Sequence, residues 1–164
     1  MAMIEVKLEG LALDMTTNTP VVILVPKELE KVLPIWIGHA EAWAIAMELS
    51  GVGPKRPLTH DLIKHVIESL GAQVDRVEIT ELREQTFYAL IHVSRDGELY
   101  KIDARPSDSI ALALKSGSAI YVNEDLFTID AQGSAGSPSM PTDPESLRER
   151  LRKINPEDFG KYTL

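Results

Sequence analysis

Apolar and polar residues alternate from the start of the chain. Ile4, Val6 and Leu8 interleave with Glu5, Lys7 and Glu9, the period-two signature of a strand with one buried face. After Gly10 the parity flips to Leu11, Leu13 and Met15, and a glycine at the flip predicts a bulge. Thr16 to Pro20 reads as a turn, Val21–Val25 as a buried strand, and Val32–Ile37 as a third strand with Pro34 near its start. Beyond Gly38 the period lengthens. Ala40, Ala42, Trp43, Ala44, Ile45, Ala46, Met47 and Leu49 make a helix that is apolar almost all round, closed by Gly51 as a C-terminal cap. Its interior polar residues, Glu41 and Glu48, share one face two turns apart.

Gly51 to Pro57 is a loop by composition. Thr59 predicts an N-cap, followed by a helix with Leu62, Ile63, Val66, Ile67 and Leu70 on one stripe and Gly71 as its stop. Strands follow over 73–82, 86–94 and 98–104, the last two joined by an Asp96-Gly97 turn. At Ala104-Arg105-Pro106 the chain enters a helix from Pro106 to Lys115, ended by Gly117, and Ala119–Val122 forms a last short strand. The fold class is α+β: a bent, mostly antiparallel sheet with packed helices across residues 1–129. Residues 130–142 read as a flexible linker. Residues 143–164 read as an amphipathic helical tail, a linked C-terminal helix with Leu147, Leu151 and Ile154 on one side.

A chain of 164 residues is long enough to bury a core without staples. It has no cysteine, which excludes a disulfide scaffold, thiolate metal sites and a cysteine nucleophile. No apolar run approaches the ~20 residues of a membrane span, and the first residues lack the layout of a secretion signal. The expectation is a cytoplasmic protein with no membrane contact. Formal net charge is −8, from 17 basic and 25 acidic residues. The tail balances five of each, so residues 1–142 carry 12 basic against 20 acidic, which is the whole −8. Tight nonspecific nucleic-acid binding needs clustered Lys and Arg, so contact with nucleic acid is expected to be weak and local.

Two Arg-Pro turns gather the candidate chemistry. Arg56-Pro57 precedes Thr59, His60 and Asp61, and Arg105-Pro106 precedes Ser107 and Asp108, with Asp103 just before it at a strand end. Helix starts offer unpaired N–H groups, and arginine adds a bidentate fork for phosphate. Carboxylates beside such a site can hold Mg²⁺ or Mn²⁺ against phosphate oxygens. The plainer reading is capping, because Asp, Ser, Thr and Pro are ordinary choices for a first helical turn. Capping accounts for either turn alone; two matching turns keep the functional reading open. Glu41 starts the apolar helix and is either a metal ligand or general base, or a partner of Arg56 or Arg105. His60 is either a proton-transfer group or a lone histidine beside a cap. No P-loop, Gly-x-Gly-x-x-Gly or Gly-x-Ser-x-Gly motif occurs.

Leu33-Pro34-Ile35-Trp36-Ile37-Gly38, Glu41-Ala42, Arg56-Pro57-Leu58-Thr59-His60-Asp61-Leu62, Phe87-Tyr88-Ala89 and Asp103 through Ala113 occur in the order and spacing of the bifunctional nuclease (BFN) domain family. Over residues 3–129 the chain resembles that family. Ser109 stands where alanine is expected, and 130–164 lies outside the resemblance. The resemblance implies a nuclease acting on DNA and RNA, a hydrolase of phosphodiester bonds. The chemistry assigned on that expectation makes His60, Asp61, Asp103 and Asp108 catalytic. Arg56, Thr59, Arg105 and Ser107 bind phosphate, and Glu41, Asp61, Asp103 and Asp108 hold Mg²⁺ or Mn²⁺. The Ala-rich helix and the amphipathic tail suggest a homodimer. Two alternatives stand beside this: a non-enzymatic dimeric binding or regulatory module, and a binder of a small anionic ligand.

Overall fold

A computed structural model of the chain describes residues 2–28 and 30–127, and the backbone of 151–153. Its strands are β1 (Met3–Asp14), β2 (Thr19–Pro26), β3 (Leu33–Trp36), β4 (Ala72–Arg83), β5 (Thr86–Arg95), β6 (Glu98–Ala104), β7 (Ala119–Asn123) and β8 (Leu151–Lys153). The helices are α1 (His39–Ser50), α2 (Thr59–Ser69) and α3 (Pro106–Ser116). One sheet runs in the order β3-β2-β1-β7-β4-β5-β6. Two antiparallel meanders, β1-β2-β3 and β4-β5-β6, meet through β7, which is antiparallel to β1 and parallel to β4. The parallel pair needs a long crossover, supplied by β5, β6 and α3. The fold is α+β, as the pattern predicts.

The bulge expected at Gly10 lies between Leu8 and Gly10, where the β1–β2 register shifts. Two further shifts interrupt β4 against β5, between Val74 and Arg76 and between Ile79 and Glu81. The main core joins α1 and α3 to the sheet, with Ile45, Ile110, Leu112, Val77, Ile79 and Val122 at its centre. A smaller cluster of Val21, Ile23 and Val32 packs with Val25 and Trp36. β2 is therefore buried on both faces, which is why its apolar run is unbroken. Trp36 Nε1–H donates to Asp14 Oδ2 at 3.0 Å and the Thr16 N–H donates to Oδ1 at 3.0 Å. This fully buried carboxylate fastens the β1–β2 turn to β3.

The structure corrects three expectations. The N-cap of α2 is Leu58, with Thr59 exposed inside the first turn. Asp61 takes over the capping role by accepting the Leu58 N–H at 2.9 Å. The apolar stripe of α2 does not face the core: only Ile67 packs against it, while Leu62, Ile63, Val66 and Leu70 are exposed. Position 60, one turn before Lys64 and two before Ile67, turns His60 inward instead. The Ala-rich α1 buries Ala42, Ala44, Ile45, Ala46 and Met47 within its own domain. In the tail, Leu151–Lys153 is a strand antiparallel to Ala12–Asp14 rather than helix. β7 pairs with β1 only over Met3–Val6, so the far half of that edge accepts another strand. The linker and the rest of the tail lie outside the described residues. Among the described residues no helix is long and apolar enough to cross a membrane.

Candidate functional site

Five of the candidate site residues, Glu41, His60, Asp61, Arg105 and Asp108, meet in a seam between the three helices. α1 and α3 each carry a polar pair seven residues apart, Glu41 with Glu48 and Asp108 with Lys115. That spacing is two turns along one helix face. The two pairs line up: Arg105, at the start of α3, reaches Glu41, and Lys115, at its end, reaches Glu48. The start of α2 drops between them, His60 toward Asp108 and Asp61 toward Lys115.

At the first end, Arg105 Nη2 lies 2.6 Å from Glu41 Oε1, and Arg105 Nε donates to Asp108 Oδ2 at 2.9 Å. The other Asp108 oxygen meets His60 Nε2 at 2.9 Å, a contact that joins the two Arg-Pro turns across 48 residues of sequence. The two carboxylates hold the Arg105 guanidinium above its ordinary value, Glu41 contributing most and Asp108 next. The Arg105 side chain is nevertheless 65% exposed, so an edge of the fork remains open to an incoming oxyanion. Glu41 is positioned by Gly38. Its carboxylate folds back over that glycine, where a Cβ would collide with Oε2.

At the second end Lys115, 3% exposed, is 2.9 Å from Asp61 Oδ1 and 3.4 Å from Glu48 Oε2. A buried ammonium is costly unless paired, and here two carboxylates from two other helices share it. Burial pushes the Asp61 carboxyl up. The Leu58 N–H and Lys115 together outweigh that and hold it below the usual carboxylate value.

Each expected site residue has a definite place. Glu41, His60, Asp61, Arg105 and Asp108 belong to the seam. Arg56 and Thr59 are exposed on the approach to α2, and Arg56 makes no ion pair among the described residues. Ser107 is buried in the first turn of α3. Asp103 does not join the seam. Its neighbours Ile102 and Ala104 pair with the core residues Ile91 and Ala89, whereas Asp103 pairs with Leu90, so alternation puts it on the other face of the sheet. His60 is only 6% exposed, with its Nδ1 buried and unpartnered, and so does not present a free nitrogen to substrate. Among the described residues no three His, Asp or Glu side chains converge to hold a metal ion. The carboxylates expected to share one are divided, Glu41 and Asp108 on Arg105 and Asp61 on Lys115. Lys115 is the member that sequence reading passed over, and Glu48, placed there on the face of Glu41, had no site role. The matching seven-residue spacings on two helices were the available signal.

A mixed sheet with an inter-helix polar seam built from two Arg-Pro helix starts defines the class of domain. A family model for the bifunctional nuclease domain matches residues 22–133. The chain belongs to that family. It is 40% identical over 162 residues to an uncharacterized protein of Mycobacterium tuberculosis, covering 94% of this chain and 97% of that protein. It is 25% identical over 116 residues to Bifunctional nuclease 1 of Oryza sativa subsp. indica, covering 69% of this chain and 35% of the rice protein. Bifunctional nuclease 1 of Arabidopsis thaliana is 27% identical over 101 residues, covering 60% of this chain and 31% of the plant protein. The chain thus spans about a third of these plant relatives.

Proposed function

We propose that the chain is a weak nuclease domain that engages the phosphodiester backbone at its paired Arg-Pro turns and works as a homodimer. The observation that carries this is the His60–Asp108 contact. It draws the two turns together, with Arg56 and the open side of Arg105 exposed at neighbouring helix starts. Asp108 and Glu41 orient the Arg105 fork for bidentate contact with phosphate oxygens, and α2 and α3 add the N–H groups of their first turns. The nuclease names of the plant relatives support the substrate class. Mg²⁺ or Mn²⁺ does not fit the seam as a resident ion, because its carboxylates already hold Arg105 and Lys115. No step is therefore assigned to a metal, and dependence on one is a property to measure.

A second reading is favoured by the same ion pairs. An Arg105 clamped by Glu41 and Asp108 would also serve a binding or regulatory module that cleaves nothing.

The deciding experiment is cleavage of single- and double-stranded DNA and RNA, with and without Mg²⁺ or Mn²⁺, by the chain and by Arg56→Ala/Arg105→Ala protein purified identically. Cleavage lost in the variant supports the nuclease. Equal cleavage by both points to a contaminant and removes the support, and nucleotide binding without cleavage selects the second reading.

A further inference from the structure

β4 repeats one arrangement twice on the side of the sheet away from the core. Its core side carries Val77 and Ile79, which pack with α1 and α3. Arg76 and Glu78 alternate with them and so face the other way. Arg76 Nη2 lies 2.8 Å from Glu78 Oε1, and its guanidinium carbon stands 5.5 Å from the centre of the Tyr121 ring. Tyr121, on β7, is the register partner of Glu78. Further along β4, Arg83 Nη2 lies 3.1 Å from Glu81 Oε1, and its guanidinium carbon stands 4.4 Å from the centre of the Tyr88 ring. Tyr88, on β5, is the register partner of Glu81. Each unit is an arginine, a carboxylate two residues away that orients it, and a tyrosine of the neighbouring strand beneath it. Strict alternation would send 76 and 78 to one side of the sheet and 81 and 83 to the other. The register shift between Ile79 and Glu81 inserts Thr80 and reverses the parity. Leu82 and Phe87 then turn to the core, and Glu81 and Arg83 join Arg76 and Glu78 outside. Bulges re-aim side chains in this way, and this one is fastened, because Thr80 Oγ1 donates to the Tyr88 C=O at 3.3 Å. The first unit is anchored from behind: buried Glu78 also meets the buried His92 Nε2 at 3.0 Å.

Resting on the nucleic-acid reading above, we propose that this face is a second contact surface, a stacking platform for the unpaired bases of a single strand. A guanidinium laid over an aromatic ring offers its outer plane to a base, and such planes are a recurring way of holding splayed bases. The Arg76 and Arg83 side chains are 47% and 59% exposed, so both planes are open. The carboxylates decide which part of a nucleotide gains most. Glu78 and Glu81 offset the charge of the arginines that they hold, and Asp103 adds a negative charge on the same face. A phosphate gains little there, whereas stacking on a base does not depend on net charge. The two tyrosines flank β4, two strand spacings or about 10 Å apart across the sheet, so one flexible strand can place a base on each unit. A duplex keeps its bases paired and stacked inside and has none to offer. The platform therefore selects single strands, whereas the Arg56 and Arg105 turns engage the phosphate that both forms share. It also gives Tyr88, from the Phe87-Tyr88-Ala89 string, a role that the seam does not.

The test is fluorescence anisotropy of the full-length chain with a short single-stranded oligonucleotide, an abasic strand of the same length, and a duplex. The wild-type chain should bind the base-bearing strand about tenfold more tightly than the abasic one. Arg76→Lys/Arg83→Lys keeps both charges and removes both planes. That variant should lose the preference for bases while its affinity for the abasic strand and its salt slope stay unchanged. Both arginines are exposed, so the fold is spared, which an unchanged circular dichroism spectrum checks. A preference that persists in Arg56→Ala/Arg105→Ala protein, with abasic binding lost, supports a platform separate from the seam. Equal wild-type affinity for the base-bearing and abasic strands, or a lysine variant that keeps the preference, overturns the platform and leaves the phosphate reading of the Arg-Pro turns standing. A wild-type chain that binds none of the three probes at low salt overturns both.

Discussion

Arg105 is held by two carboxylates from different helices and still faces solvent, and that combination sets what single changes should do. Gly38→Ala places a Cβ against Glu41 Oε2, so the carboxylate must leave either the glycine or Arg105. Because Arg105 is exposed, the lost pair is worth no more than about 1 kcal/mol. A double-mutant cycle should show Gly38→Ala costing less when Arg105→Ala is already present; equal costs in both backgrounds would place the strain elsewhere. Asp61→Asn is harsher, because it takes a partner from a buried Lys115 and a cap from Leu58. We expect about 2 kcal/mol of destabilisation near neutral pH. The Asp61 carboxyl titrates below 3.8 in the folded state, so its contribution is present above that value and lost as pH falls through the folded one. Chemical denaturation of both proteins should show the gap narrowing on acidification below pH 3.8; a gap that stays constant would assign the loss to packing. Little of this was legible beforehand. His60 reads as an exposed histidine beside a cap because its neighbours in sequence carry no trace of Asp108, 48 residues away.

Helices and strands were far more legible than their facing. The parity flip at Gly10, the unbroken apolar run of β2, the Asp96-Gly97 turn and the glycine stops after α1 and α3 are local chemistry, and each appears where the pattern puts it. The α2 stripe misleads for a physical reason. A period of 3.6 identifies a helix with one apolar side, but it does not say whether that side meets the chain's own core or another surface. Here the inward positions hold His60 and Asp61, because α3 offers α2 Asp108 and Lys115 rather than a wholly apolar wall. The seam also ranks two substitutions. Asp61→Asn leaves a buried ammonium with Glu48 alone at 3.4 Å. Lys115→Met instead leaves two carboxylates, and Glu48, 40% exposed, can turn to water while the methionine fills the space. Removing the less accessible partner's counter-charge is the costlier error. Lys115→Met should therefore destabilise by about 1 kcal/mol, less than Asp61→Asn. The order of their urea midpoints checks it, and the reverse order would mean that the lysine, not the carboxylates, can reach solvent.

Net charge constrains any nucleic-acid chemistry of the whole molecule. With a formal charge of −8, a phosphate backbone is repelled by most of the surface, and attraction is expected at Arg56 and Arg105 beside the helix starts. Affinity falls with salt in proportion to the phosphates neutralised, with a logarithmic slope of about −0.7 per phosphate on single strands. Two arginines per chain predict a slope between about −1 and −2 for one domain, far shallower than for a protein with a basic groove. If the chain works as a homodimer, one long strand that reaches both Arg105 turns should roughly double that slope, while a short oligonucleotide confined to one turn should not. Fluorescence anisotropy over a salt series, with short and long single strands, separates these cases. Arg56→Ala/Arg105→Ala should flatten both curves. A steep slope that survives loss of both arginines would move the contact to basic residues elsewhere on the chain, and would leave the paired turns as helix caps alone.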